Sequence, residues 1–126
     1  MKSRLFTVEE ANALIPEISP LMGEILERRA RSASIRTENA ELVQDTQSNI
    51  GGLDLSTATT DFLAIERLVN KIKSHGIVVK DINVGLIDFL AEIDGREVYL
   101  CWRYGEKSVG YYHDLEAGFN GRKRIK

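Results

Sequence analysis

The chain has 126 residues, a formal net charge of −2, 43% hydrophobic and 29% charged residues, and one cysteine. That length favours a single domain with a core that needs no cross-links. One cysteine excludes an intramolecular disulfide and a Cys-rich metal module, the near-neutral balance supplies no global field for nucleic acid or acidic lipid, and no run approaches the roughly 18 apolar residues of a membrane span.

The charged start Met1-Lys-Ser-Arg runs into Glu9 and Glu10 without an apolar stretch, so no signal peptide is expected. A soluble protein of the reducing cytoplasm is the expectation. A helix start is written at Thr7-Val8-Glu9-Glu10. Thr7 can accept from the Glu10 amide and Glu10 can reach back to the Thr7 amide, as in a capping box, and both glutamates sit at the positive end of the helix dipole. The first helix is expected over about 7–43. Leu14, Ile18, Leu21, Ile25, Ile35 and Leu42 fall on four- and three-residue steps if Arg28, Ser32 and Asn39 fill the seam between them, a heptad-like stripe with polar interruptions.

Pro16 and Pro20 each remove an amide donor, but they lie four apart on one face and the stripe keeps its phase through them. One long helix, kinked near its start, is preferred to a short helix ending near Leu14 with a new one beginning at Pro20. Beyond Leu26 the pattern thins to a polar helix that projects from the core or needs a partner. Gln44 to Leu55, with Asp45, Asn49, Gly51 and Gly52, reads as a loop. A second helix, about 56–75, carries Ala58, Phe62, Ile65, Val69 and Ile72, widened by Leu63 and Leu68. Lys71, Lys73 and His75 suit its C-terminus, and Gly76 is its left-handed stop. The two helices make an antiparallel hairpin.

The period then changes to two. Ile77-Val78-Val79 begins a sheet spanning about 77–113, and Gly85 separates it from the strand Leu86–Ile93. Asp94-Gly95 suits a two-residue type I′ turn, which sets Ile93 against Arg96, Ala91 against Val98, Phe89 against Leu100 and Ile87 against Trp102. Those residues form the face expected to pack on the helices. The other face carries Leu86, Asp88, Leu90 and Glu92 against Arg103, Cys101, Tyr99 and Glu97. The tail, about 114–126, is turn-rich and ends basic.

The chemistry-bearing candidates lie on that second face. Asp88 has Cys101 opposite and Arg103 diagonal to it. A structural Asp88–Arg103 ion pair is preferred to an acid/base or ligand-binding carboxylate. His113 with Asp88, Glu92 or Glu116 offers nitrogen and oxygen donors for a divalent metal such as zinc, manganese or iron. The Tyr104–Ser108 turn decides the face of His113: an even loop sets it with Trp102, an odd one with Asp88. Cys101 is read as a small buried hydrophobe rather than a nucleophile with His113 as base. His75 is read as a helix cap. Gly118, Gly121 and Arg122 read as a plain C-terminal turn rather than an anion site, and Arg122-Lys-Arg-Ile-Lys as a solvated tail.

The opening Leu5-Phe-Thr-Val-Glu-Glu-Ala-Asn-Ala-Leu-Ile-Pro, the run Gly85-Leu-Ile-Asp-Phe, the block Asp94-Gly-Arg-Glu-Val-Tyr-Leu-Cys-Trp-Arg and the ending Tyr112-His-Asp-Leu-Glu-Ala-Gly-Phe-Asn-Gly-Arg carry a likeness that extends over essentially the whole chain. In these motifs the chain resembles the prokaryotic "domain of unknown function 2203" family. Leu90 departs from the proline associated with the family after the Asp-Phe pair. The resemblance implies no activity and carries over no catalytic residue.

The expected fold is α+β: a long antiparallel helical hairpin packed on a small antiparallel β-sheet, a meander. The leading functional expectation is a non-enzymatic binding or interaction module that forms a homo-oligomer through the helical seam. The runner-up is a small metal-dependent or acid/base enzyme using Asp88, Arg103 and His113. Nucleic-acid contact through the basic tail ranks third, no membrane partner is expected, and no motif names a small-molecule ligand.

Overall fold

The computed structural model describes residues 4–46 and 51–125, with the backbone alone over 32–46, 51–56 and at 119. Two helices, α1 (Val8–Thr46) and α2 (Gly51–Lys73), precede five strands, β1 (Val78–Asp81), β2 (Leu86–Ile93), β3 (Arg96–Arg103), β4 (Tyr111–Asp114) and β5 (Lys123–Arg124). The strands form one antiparallel sheet in the order β1-β2-β3-β4-β5, so the fold is α+β and the sheet is a meander.

The capping box forms: the Glu10 amide donates to Thr7 Oγ1 at 3.0 Å and the Thr7 amide donates to Glu10 Oε1 at 2.9 Å. Helix α1 runs unbroken through Pro16 and Pro20. Both prolines are exposed, off the buried stripe of the helix. The buried stripe of α1 is Ala11, Ile15, Ile18, Met22 and Ile25, with Leu14 and Leu21 half-buried beside it. Two of the expected seam positions are thus flanks, because α1 packs on the sheet as well as on α2. The outer seam residues Ile35 and Leu42 lie outside the described side chains.

The expected loop over 44–55 is shorter, since α1 reaches Thr46 and α2 starts at Gly51; residues 47–50 lie outside the described ones. Phe62, expected in the seam of α2, is 65% exposed. The neighbouring Asp61 is buried in its place and accepts from Arg28 Nη1 at 2.7 Å and from Arg31 Nε at 2.9 Å. Two α1 guanidiniums on one α2 carboxylate turn Asp61, Ala64, Leu68 and Ile72 inward and rotate Phe62 away. Gly76 ends the helical segment at φ 89°, and His75 Nε2 pairs with Glu17 Oε2 of α1 at 2.7 Å, which ties the helices together instead of capping one.

Asp94 and Gly95 have φ 53° and 78°, both positive as a type I′ turn requires, and the β2–β3 register is the one the turn dictates: Ile93 with Arg96, Phe89 with Leu100, Ile87 with Trp102. Leu90 continues β2 without interruption. Ile87, Phe89, Ala91, Val98, Leu100 and Trp102 are buried in one cluster with the inward residues of both helices. The C-terminal segment holds the expected turns and adds a strand to them. A 3-10 turn at Phe119–Gly121 leads into β5, which pairs with β4 and adds a fifth strand. No helix among the described residues is long and apolar enough to cross a membrane.

Candidate metal centre

Period-two alternation that sends Ile87, Phe89 and Ala91 into the core sends Asp88 to the opposite face. The hairpin register then sets Cys101 across from Asp88, and the β3–β4 register sets His113 across from Tyr99. His113 therefore shares the Asp88 face, the odd-loop alternative. Asp88, Cys101 and His113 are 1%, 0% and 2% exposed, and one donor atom from each lies within 4.8 Å of the other two.

The hydrogen bonds define the proton pattern. His113 Nδ1 lies 2.8 Å from the Asp114 carbonyl oxygen. A carbonyl only accepts, so Nδ1 carries a hydrogen and donates. His113 Nε2, turned the other way, lies 3.1 Å from Asp88 Oδ2. Asp88 Oδ1 is buried and has no hydrogen-bond partner among the described residues. Burial pushes the Asp88 carboxyl above its ordinary range against the opposing pull of His113, Lys80 and Cys101. Burial, reinforced by the Asp88 charge, pushes the Cys101 thiol up to about 11. Without a metal, then, Cys101 is a protonated thiol and a poor nucleophile at neutral pH.

A second ring of residues surrounds the three. Lys80 of β1 sits 5.3 Å from the Tyr99 ring centroid, and Tyr99 lies tilted against the His113 ring at 5.7 Å. The Arg122 guanidinium stacks on Tyr111 at 4.0 Å, donates to Glu106 Oε2 at 2.8 Å through Nη2, and points Nη1 at Cys101 Sγ at 4.0 Å.

Of the sequence candidates, only Asp88 and His113 meet. Arg103 is exposed across from Leu86, and the partner of Asp88 is His113, not Arg103. Glu92 is exposed across from Glu97, and Glu116 is exposed in the turn after β4, so neither enters the cluster. The third donor, Cys101, was legible in part, because the Asp94-Gly95 turn already places it opposite Asp88. Lys80, Glu106 and Arg122 carried no sequence signal of belonging to one site, while Tyr99 was placed only on the Asp88 face of the hairpin. Arg122 turns inward onto protein groups rather than shaping an anion site with Gly118 and Gly121.

The donor set is one carboxylate oxygen, one imidazole nitrogen and one sulfur, a combination that suits zinc and its neighbours rather than magnesium or calcium. Metal–ligand bonds of roughly 2.0–2.1 Å to nitrogen or oxygen and 2.3 Å to sulfur set tetrahedral donor–donor edges at roughly 3.3–3.6 Å. The three donor atoms lie within 4.8 Å of one another, so binding an ion would draw them together by up to about 1 Å.

No curated protein and no solved structure matches the chain. The family model described as "Uncharacterized conserved protein (DUF2203)" matches residues 4–125, nearly the whole length, and the chain belongs to that family.

Proposed function

We propose that the protein is a binding module whose ligand is a divalent transition-metal ion of zinc type, held by Asp88, Cys101 and His113. One observation carries this. The Nδ1–H of His113 is spent on the Asp114 carbonyl, which leaves Nε2 facing the buried Asp88 carboxylate, whose second oxygen has no partner among the described residues. Two acceptors facing each other in a buried site need a cation between them, either a proton or a metal. An imidazole oriented through its far nitrogen by a backbone carbonyl is the usual support of a metal-ligating histidine. Burial of all three donors favours a retained ion over a substrate-exposed one. The acid/base enzyme reading loses support because Arg103 stands apart. A thiolate ligand needs a reduced thiol, which fits the prokaryotic cytoplasm as the setting.

The test is titration of metal-free protein with Co²⁺ and Zn²⁺. One equivalent should bind, with a thiolate-to-cobalt charge-transfer band, and Asp88→Asn, Cys101→Ser and His113→Gln should each weaken it. No binding, or binding indifferent to all three substitutions, would leave a shared proton as the cation and overturn the metal reading.

A second reading, compatible with the first, is self-association through the helices. It is supported by Phe62 and Leu63, 65% and 47% exposed side by side on α2.

A further inference from the structure

Arg122, the residue that reaches Cys101 from outside the cluster, comes from the far end of the chain. Arg122 immediately precedes β5, and the segment is pinned where Tyr111 pairs with Arg124, Tyr112 pairs with Lys123, and the Ile125 amide donates to the Gly110 carbonyl at 2.8 Å. Gly118, at φ 74°, turns the chain back toward the sheet. The Arg122 guanidinium is then held from two sides, by Glu106 at 2.8 Å and by the Tyr111 ring at 4.0 Å, which leaves the Nη1 edge directed at Cys101 Sγ. Arg122 and Glu106 side chains are 19% and 23% exposed, so this pair is largely shielded from water.

A metal-bound thiolate keeps lone pairs beyond the one it gives the ion. In a buried site those need a donor from the protein. Arg122 is the donor in place, and its planar fork meets Glu106, the ring and the sulfur at once, which a lysine could not do. We propose that Arg122 is the positioning residue of this metal centre: its N–H holds the Cys101 thiolate toward the ion, and the C-terminal segment that carries it, anchored by β5, closes the site and slows metal loss. This rests on the metal reading above. The ligand class is a thiophilic divalent ion with tetrahedral preference.

The experiment uses full-length protein loaded with Co²⁺. Arg122→Met should shift the thiolate-to-cobalt band to lower energy, because a sulfur without its N–H donor is richer in electrons. It should also speed metal transfer to a chelator by roughly tenfold to a hundredfold, the usual scale for loss of an outer-sphere partner. Glu106→Gln leaves every ligand in place but loosens Arg122. It should move both readouts the same way by less, and it decides the matter if Arg122→Met does not fold. A lowered melting temperature with an unmoved band and unchanged metal release would make Arg122 merely structural and overturn this inference alone. Wild-type protein lacking the thiolate band would overturn it together with the metal reading.

Discussion

His113 Nε2 stands 3.1 Å from Asp88 Oδ2 while the opposite nitrogen of the same ring donates to the Asp114 carbonyl. The imidazole is thus oriented from behind by the backbone of its own strand, and its front faces a carboxylate whose other oxygen has no hydrogen-bond partner among the described residues. Burial makes that contact demanding: neither group reaches water, so whatever cation sits between them defines the state of the site.

Replacing Asp88 by Asn separates a site from a scaffold. The amide keeps the shape and can donate to His113 Nε2, so metal-free stability should change by no more than about 1 kcal/mol. Zinc affinity should fall by at least about tenfold to a hundredfold, since a direct ligand is lost where even outer-sphere partners cost that much. Calorimetric titration beside thermal unfolding reads both. A large stability loss with unaltered zinc binding would assign Asp88 to the scaffold.

The raised Asp88 carboxyl also sets a pH dependence with a definite sign. A carboxyl whose folded pKa lies above its unfolded value of 3.8 favours the fold when protonated. Its contribution is complete below the unfolded value and is lost as pH rises through the folded one. His113, Lys80 and Cys101 face it and oppose the shift without reversing it. Urea unfolding of metal-free protein between about pH 4 and 7 should therefore show wild type losing stability relative to Asp88→Asn as pH rises. A flat difference would mean that the carboxyl is not perturbed.

Two glycines with positive φ should respond differently to alanine. At Gly95 (φ 78°) an added Cβ meets nothing within 4 Å, so only the left-handed backbone costs, about 1–2 kcal/mol. At Gly85 (φ 73°) the Cβ would come 2.6 Å from Tyr104 Cβ and 3.1 Å from Met22 Cγ, so strain adds to the backbone term. Gly85→Ala should be the more destabilising by denaturant midpoint. Gly95→Val should exceed Gly95→Ala, since a branched side chain suits that conformation less. Equal midpoints for the two alanine variants would contradict the packing of Gly85 under Tyr104.

Self-association through the helices predicts more than the 14.2 kDa of one chain in solution. Light scattering at micromolar concentration should return a multiple of that mass, and Phe62→Ser should return the monomer value without loss of the fold. A clean monomer for wild type would remove this reading and leave Phe62 as a solvent-facing residue of α2.

Much of this architecture is local and was therefore readable. Thr7 and Glu10 satisfy each other's amides across one helical turn, Gly76 stops α2 where a left-handed residue is needed, and Asp94-Gly95 sets every β2–β3 partner because a two-residue turn admits one register. The last of these also put Cys101 opposite Asp88. What sequence could not supply was anything set by an irregular loop or a distant element. The eight residues on from Arg103 to Tyr111 have no turn chemistry that counts them, so the face of His113 awaited the β3–β4 pairing. Phe62 was misplaced because helical periodicity cannot foresee that Asp61, one residue earlier, would be drawn inward by two arginines thirty and more positions away. Arg122 read as part of a loose tail because only tertiary packing brings it onto Cys101, Tyr111 and Glu106. Local hydrogen bonding and hydrophobic period determined the two helices, the β2–β3 hairpin and its register; long-range pairing and charge satisfaction added β5 and assembled the site.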